Sequence, residues 1–276
     1  MREGLKRKAR SEARTCSGKP VPEATAKGHA QEIKIMIKIF TNPNDNTISM
    51  NEMINNLEQI KSQVPSYINI VAVSKFQPVE KIKLLYDAGH RDFGENYVQE
   101  LTSKYEQLPK DIRWHFIGHL QSNKVKYIAP FVHLIHGVDN FNLLKEINKQ
   151  AIKNNRIIEC LLQIHIAQEE TKFGLSKEEL SQILSSEELK HLNNIKIVGL
   201  MGMATNTDDE QQIKREFTEL KEIFEWTKKD IKCPNVDMQI LSMGMSNDYQ
   251  IAIQCGSNMI RLGTIIFGER IKPEKK

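Results

Sequence analysis

From residue 47 onward, short apolar segments alternate with amphipathic ones in a regular series. Helical spacing opens this region over 48–63 and is clearest over 210–229, where Phe217, Leu220 and Phe224 fall on one face. The apolar segments predict eight strands, at 68–74, 91–95, 113–117, 132–137, 157–166, 195–201, 238–242 and 259–263. Strands that alternate with helices form a parallel sheet, and eight such units favour a closed (β/α)8 TIM barrel of the α/β class over an open doubly wound sheet.

Residues 1–46 differ from the rest of the chain in charge and in pattern. Residues 1–40 hold ten Lys or Arg and four acidic residues, an excess of six positive charges. Because the whole chain has a net charge of +4, residues 41–276 carry −2. We therefore expect a basic tail over 1–46, which is disordered, non-native or a targeting segment, and a barrel over 47–276.

Composition argues against several classes of protein. The slightly acidic barrel lacks the basic stripe of a nucleic-acid-binding domain, and no apolar run approaches the ~20 residues of a membrane helix. The four cysteines form no Cys-x-x-Cys pair, and His115 and His119 span a strand end. Neither a disulfide framework nor a metal site is expected. A cytoplasmic protein without nucleic acid or membrane as partner is the prediction.

Barrel enzymes carry their chemistry at the carboxyl ends of the strands, and the unusual polar residues of this chain fall there. The first strand ends on Lys75, whose amine can condense with an aldehyde where a desolvated site lowers its pKa. Taken alone, a lysine at a loop start is most often a solvated side chain. Asn96, after the second strand, is likewise typical of turns and helix caps.

The ends of the seventh and eighth strands carry the groups of an anion site. Ser242, Gly244 and Ser246 form a turn before a helix, where hydroxyls and backbone N–H groups can bind phosphate. A simpler interpretation makes Ser246 the N-cap of an ordinary helix. In the eighth strand, Arg261 is costly to bury without a partner, and Gly263 leaves room for a ligand at the backbone. Phosphate sites in barrels are often built from these two loops.

Together, these segments resemble the pyridoxal phosphate homeostasis protein family, whose fold is similar to the barrel domain of alanine racemase. The matching stretches are VAVSK at 71–75, FGENY at 93–97, HFIGHLQSNK at 115–124, GLMGM at 199–203, SMGMSND at 242–248, RLG at 261–263 and IFG at 266–268. Their order and spacing hold from about residue 47 to 270, so the basic tail lies outside the resemblance. One departure is Asn258, where the family usually has threonine.

The resemblance implies pyridoxal 5′-phosphate (PLP) as the cofactor, bound as a Schiff base on Lys75. It places Arg261 against the pyridine nitrogen and Asn96 near the ring. The residues that it implies for the phosphate are Ser242, Gly244, Met245, Ser246, Gly263 and Thr264. An arginine at the pyridine nitrogen disfavours protonation of that nitrogen, so the ring is a poorer electron sink and carbanion chemistry is held back.

The leading hypothesis is therefore a monomeric carrier that binds PLP reversibly, buffers it and passes it to PLP-dependent apoenzymes without efficient turnover. An amino-acid racemase or decarboxylase of the same fold is the alternative. Alanine racemase needs a second domain, for which we expect no room after the eighth strand. A third hypothesis is a binding module whose basic tail docks on RNA or an acidic membrane, and the acidic barrel argues against it.

Overall fold

The computed structural model describes residues 49–169 and 173–269, and the tail predicted for 1–46 lies outside them. The strands are β1 (Asn69–Val73), β2 (Asp92–Glu95), β3 (Arg113–Phe116), β4 (Leu134–Val138), β5 (Ile158–Gln163), β6 (Ile195–Met201), β7 (Val236–Ser242) and β8 (Met259–Leu262). The helices are α1 (Met50–Gln63), α2 (Val79–Asp87), α3 (Val98–Gln107), α4 (Val125–Ile128), α5 (Phe141–Lys153), α6 (Lys177–Ser185), α7 (Glu210–Asp230), α8 (Tyr249–Gln254) and α9 (Thr264–Phe267).

The eight strands pair in chain order and close into a parallel barrel. Pairing of β1 with β8 closes the ring, with Val71 opposite Arg261 and Ala72 opposite Leu262. Because every strand runs in the same direction, the carboxyl ends of all eight meet at one end of the barrel. The predicted (β/α)8 TIM barrel is confirmed.

Side-chain caps fix where several of the helices begin. The hydroxyl of Ser49 accepts a hydrogen bond from Glu52 N–H at the start of α1. Asn140 caps α5 in the same way, and Ser176 and Glu179 form a reciprocal capping box at the start of α6. These polar residues stand directly before amphipathic segments, so the same signals are visible in the sequence.

Among residues 49–169 and 173–269, buried apolar side chains form two clusters. The larger cluster lies between the sheet and the helices, and Phe93, Trp114 and Phe217 are fully buried in it. The smaller cluster joins residues of five strands: Val71, Leu134, Leu161, Val198, Met201 and Met259. Strands on opposite sides of a ring can meet only inside it, so the smaller cluster fills part of the barrel interior.

The fifth strand is shorter than the sequence predicts. The apolar pattern predicts a strand over 157–166, whereas β5 ends at Gln163. Beyond that point, His165 N–H bonds to Leu175 O, and Leu175 N–H bonds to Gln163 O. The chain therefore pairs with the segment before α6, and the continuing apolar pattern at Ile164 and Ile166 hides the end of the strand.

Candidate functional site

A cavity of about 660 Å³ opens at the carboxyl end of the barrel, walled by segments that follow β1, β2, β3, β6, β7 and β8. Its volume is in the range of small-ligand sites, about 300–1,000 Å³. Most of the predicted site residues lie on its wall: Lys75, Asn96, Met245, Ser246, Arg261, Gly263 and Thr264. The structure thus brings together residues that are almost 200 positions apart in the chain, as the carboxyl-end rule for barrels requires.

Lys75 follows β1 and lies half-buried on the cavity wall. Its neighbour Ser74 is buried, and the hydroxyl of Ser74 donates to the Glu95 carboxylate at 2.6 Å. On the other side, Phe76 has a φ of +64°, in the left-handed region that aromatic residues rarely adopt. The chain therefore turns sharply directly after Lys75.

Arg261 is a buried cation on the same wall, with 4% of its surface exposed. Its Nη1 donates to Ser242 Oγ at 2.6 Å, and its Nη2 donates to Gly202 O at 3.0 Å. Burial lowers the pKa of Arg261 to about 10, although Asp248 acts in the opposite direction, so the guanidinium is still charged at neutral pH. A buried cation needs acceptors, and a polar ligand in the cavity can supply one.

Behind Arg261, a chain of buried hydrogen bonds crosses the barrel. Ser242 Oγ lies 3.1 Å from His136 Nδ1. His136 Nε2 then lies 2.9 Å from His115 Nδ1, and His115 Nε2 lies 3.0 Å from Asp92 Oδ1. Asp92 is the first residue of β2, so the chain runs from the amino ends of the strands to the cavity wall.

A charged group stands at each end of this chain. Burial acts to raise the pKa of Asp92, yet hydrogen bonds from His115 and Arg113 bring it well below its usual range. Burial lowers the pKa of His136 well below its ordinary value, so this ring is neutral. A carboxylate at one end is therefore joined to a guanidinium at the other.

The turn between β7 and α8 differs from the simple capped helix that the sequence allowed. Gly244 has a φ of +99°, and a side chain there would approach α8 to 2.7 Å, so the position requires glycine. Ser246 is not the N-cap, because the cap is Asp248, whose Oδ1 accepts from Met245 N–H at 2.6 Å. Ser246 Oγ instead accepts from Gly263 N–H at 3.3 Å, which joins the loops after β7 and β8.

Two predicted residues, Ser242 and Gly244, are not among the described residues that line the cavity. Ser242 is fully buried and holds Arg261 from behind, and Gly244 shapes the turn. The segment after β6 is absent from the predicted site, yet it contributes much of the wall, through Met203, Ala204, Thr205, Asn206, Thr207 and Asp208. Its run of small polar residues directly after a strand was the available signal.

Two asparagines serve different parts of the structure. Asn96 lies on the cavity wall, and its Oδ1 is buried without a hydrogen-bond partner among the described residues. A buried acceptor normally has a donor, and here the described residues do not supply one. Asn258, which departs from the family pattern, bonds the backbone of β7 through Leu241 N–H at 2.8 Å and Gln239 O at 2.7 Å.

His115 and His119, which are four residues apart, have different partners. His119 Nδ1 lies 3.1 Å from Asp139 Oδ2, whereas His115 belongs to the chain behind Arg261. Within 49–169 and 173–269, no three His, Cys, Asp or Glu side chains are grouped as metal ligands. None of the helices in those same ranges combines the length and apolar character needed to cross a membrane.

Known proteins match most of this chain in sequence. Residues 48–271 match the alanine racemase N-terminal domain family. A pyridoxal phosphate homeostasis protein of Aquifex aeolicus is 40% identical over 202 residues, which cover 73% of this chain and 86% of the relative. A protein of the same name from Synechocystis sp. is 38% identical over 215 residues, or 77% of this chain and 96% of the relative.

Solved structures show the same barrel. PipY of Synechococcus elongatus PCC7942, solved without PLP and with PLP bound, is 32% identical, with TM-scores of 0.74 and 0.72. Each comparison covers 78% of this chain and 100% of PipY. Alanine racemase of Bartonella henselae is 13% identical, with a TM-score of 0.60 over 82% of this chain and 62% of the enzyme. That last likeness shows the fold alone.

Proposed function

Because this chain belongs to the pyridoxal phosphate homeostasis protein family, with the alanine racemase N-terminal fold, we propose that it binds PLP in the cavity at the carboxyl end of its barrel. Lys75 holds the cofactor as a reversible Schiff base, and the protein buffers PLP and delivers it to PLP-dependent apoenzymes in the cytoplasm. The observation that carries this proposal is that Lys75 and the buried cation Arg261 lie on the wall of one cavity.

The wall offers a suitable group for each part of the cofactor. Lys75 supplies the amine that bonds to the aldehyde carbon. Arg261 supplies a positive charge and N–H donors for the ring nitrogen. Ser246, Gly263 and Thr264 supply hydroxyl and backbone groups for the phosphate. Bound PLP supplies the aldehyde for this bond and an electron-accepting ring.

The charge of Arg261 is the reason for proposing a carrier rather than an enzyme. Its pKa of about 10 keeps the guanidinium charged at neutral pH. A protonated ring nitrogen would bring a second positive charge against it, so Arg261 disfavours that protonation. An unprotonated ring withdraws electrons weakly, so loss of a proton from a bound amino acid is held back, which suits reversible storage.

The Lys75→Ala variant tests the covalent bond. After incubation with PLP and borohydride, we expect wild-type protein to carry a fixed pyridoxyl mass on the peptide that contains Lys75. The alanine variant should lose that mass and the visible absorption band, because its side chain has no amine. It should keep weak binding of PLP through the phosphate groups. Absorbance, intact-protein mass and peptide mapping measure these outcomes.

Lys83→Ala is a matched control, because Lys83 is exposed on α2 and pairs with Asp87. It should bind PLP and be fixed to it by borohydride to the same extent as wild-type protein. Loaded wild-type protein should also restore activity to a PLP-dependent apoenzyme in a rapid mixing assay. A fixed pyridoxyl group on the Lys75→Ala protein, at wild-type yield, would contradict the proposed role of Lys75.

A further inference from the structure

A lysine other than Lys75 is buried beside the cavity. Lys104 on α3 has 5% of its surface exposed, which is unusual for a lysine. Its Nζ donates to Ser74 O at 2.7 Å, to Glu95 Oε1 at 2.8 Å and to Glu100 Oε1 at 2.6 Å. All three ammonium protons are therefore used, and both carboxylates partner a buried charge, as a buried ion pair requires.

This cluster holds the backbone on both sides of Lys75. On the amino side, Ser74 O accepts from Lys104, and Ser74 Oγ donates to Glu95 Oε1 at 2.6 Å. On the carboxyl side, Phe76 N–H donates to Glu100 Oε1 at 2.6 Å. The residues before and after Lys75 thus share partners in a single network, which is buried at Ser74, Glu95 and Lys104.

The turn at Phe76 needs such support. A φ of +64° is unfavourable for an aromatic residue, at a cost on the order of 1–3 kcal/mol. Phe76 is 62% exposed and touches the exposed ring of Tyr97, with ring centroids 5.3 Å apart, so burial does not explain its conformation. The charge-assisted bond to Glu100 is a contact that can hold the chain in this form.

We propose that Glu100 and Lys104 are positioning residues, which fix the backbone around Lys75 so that its amine faces the bound aldehyde. This inference rests on the proposed Schiff base and adds to it a group outside the cavity wall. Glu95 completes the cluster, because its Oε1 accepts hydrogen bonds from both Lys104 Nζ and Ser74 Oγ. Loss of the cluster should therefore weaken the Schiff base on Lys75, whereas the groups that hold the phosphate should bind as before.

Glu100→Ala is the sharpest variant, because it removes the acceptor of Phe76 N–H while Lys104 keeps its bonds to Ser74 and Glu95. Binding of PLP is compared with binding of pyridoxine 5′-phosphate, an alcohol that cannot form a Schiff base. We expect PLP affinity to fall about tenfold, whereas affinity for the alcohol stays within about twofold of wild type. The rate of borohydride-trapped loading on Lys75 should fall with the PLP affinity.

Two further variants serve as controls. Glu100→Gln keeps a carbonyl oxygen that can accept from Phe76 N–H, so it should restore most of the PLP affinity. Glu106→Ala removes an exposed carboxylate from the same helix and should behave like wild type. The double variant Glu95→Gln/Lys104→Met removes the buried charges together, so it should fold and also lose PLP affinity selectively.

The outcomes separate this inference from the proposed function. If wild-type protein traps no pyridoxyl group on Lys75, the proposed function fails. If wild-type protein traps it and Glu100→Ala binds PLP equally well, the positioning role is wrong. An equal loss of affinity for PLP and for the alcohol would also overturn that role, because the cluster would then support the whole cavity.

Discussion

Arg261 and Asp92 fix the direction of the hydrogen bonds at the two ends of this chain. Arginine can only donate, so Ser242 Oγ accepts from it, and a carboxylate can only accept, so His115 donates from Nε2 to Asp92. We expect Ser242 to donate its own proton to His136 Nδ1, so that His136 donates from Nε2 to His115 Nδ1. In this direction both rings donate from Nε2 toward Asp92.

We expect nitrogen-15 NMR of wild-type protein to show His136 with its proton on Nε2. Ser242→Ala leaves Arg261 Nη1 without its acceptor and His136 without its donor, so unfolding free energy should fall by about 1–3 kcal/mol and the His136 signals should move. Ser257→Ala is a matched control, because Ser257 is equally buried but bonds the carbonyl of Met243. It should lower stability and leave the His136 signals unchanged. A proton on Nδ1 of His136 in wild-type protein would contradict the assigned direction.

The same residues show what sequence reasoning could find. Arg261 stands out because an arginine inside an apolar strand is costly to bury without a partner, whereas Lys75 is singled out by the family resemblance. The partnership of Ser242 with His136 depends on which side chains point into the ring, and no local pattern records that. Ser242 is predicted at the phosphate, and in the structure its hydroxyl accepts a hydrogen bond from Arg261.

At the scale of elements, glycines of β6 and of the segment after it make room for neighbouring elements. A Cβ on Gly199 would overlap the carbonyl oxygen of Ile240 on β7. A Cβ on Gly202, just after β6, would come within 2.6 Å of Leu220 Cδ2 on α7. The absence of side chains at these two positions lets β6 pack closely against β7 and lets the segment after it pack against α7.

Gly199→Ala should therefore be more harmful than Gly202→Ala. The first change forces apart two backbones, so we expect a loss of about 3 kcal/mol or more in unfolding free energy. The second meets the flexible end of a leucine, which can move, so a loss of about 1 kcal/mol is expected. Urea unfolding of the two variants measures both values. Equal losses would mean that β6 and β7 can separate without cost.

The segments that sequence reasoning predicted well are those whose burial follows from periodicity. Strands buried on both faces appear as short apolar runs, and all eight were found in that way. The segment at 203–208 was missed because it is irregular, and its place on the cavity wall depends on the closure of the whole ring. A local pattern carries no information about such closure.

At the scale of the whole molecule, buried ionisable groups should make stability depend on pH in two opposing ways. Burial lowers the pKa of His90 to about 4 and lowers that of His136 as well. These rings contribute stability above their unfolded pKa of about 6.5 and lose it as the pH falls. Burial raises the pKa of Glu95 to about 7, although Lys104 lowers it. Glu95 therefore contributes stability below about 4.5, its unfolded pKa, and loses it as the pH rises to about 7.

Glu95→Gln separates these contributions, because it removes one titration and leaves both histidines in place. Relative to wild type, the variant should gain unfolding free energy steadily as the pH rises from about 4.5 to about 7, and the difference should then level off. Urea unfolding at several pH values gives the two curves. Glu106→Gln, an exposed change on α3, should run parallel to wild type. Parallel curves for Glu95→Gln and wild type would mean that Glu95 keeps an ordinary pKa. The charge of the buried cluster beside Lys75 would then not change with pH in the range where the cavity is expected to bind PLP.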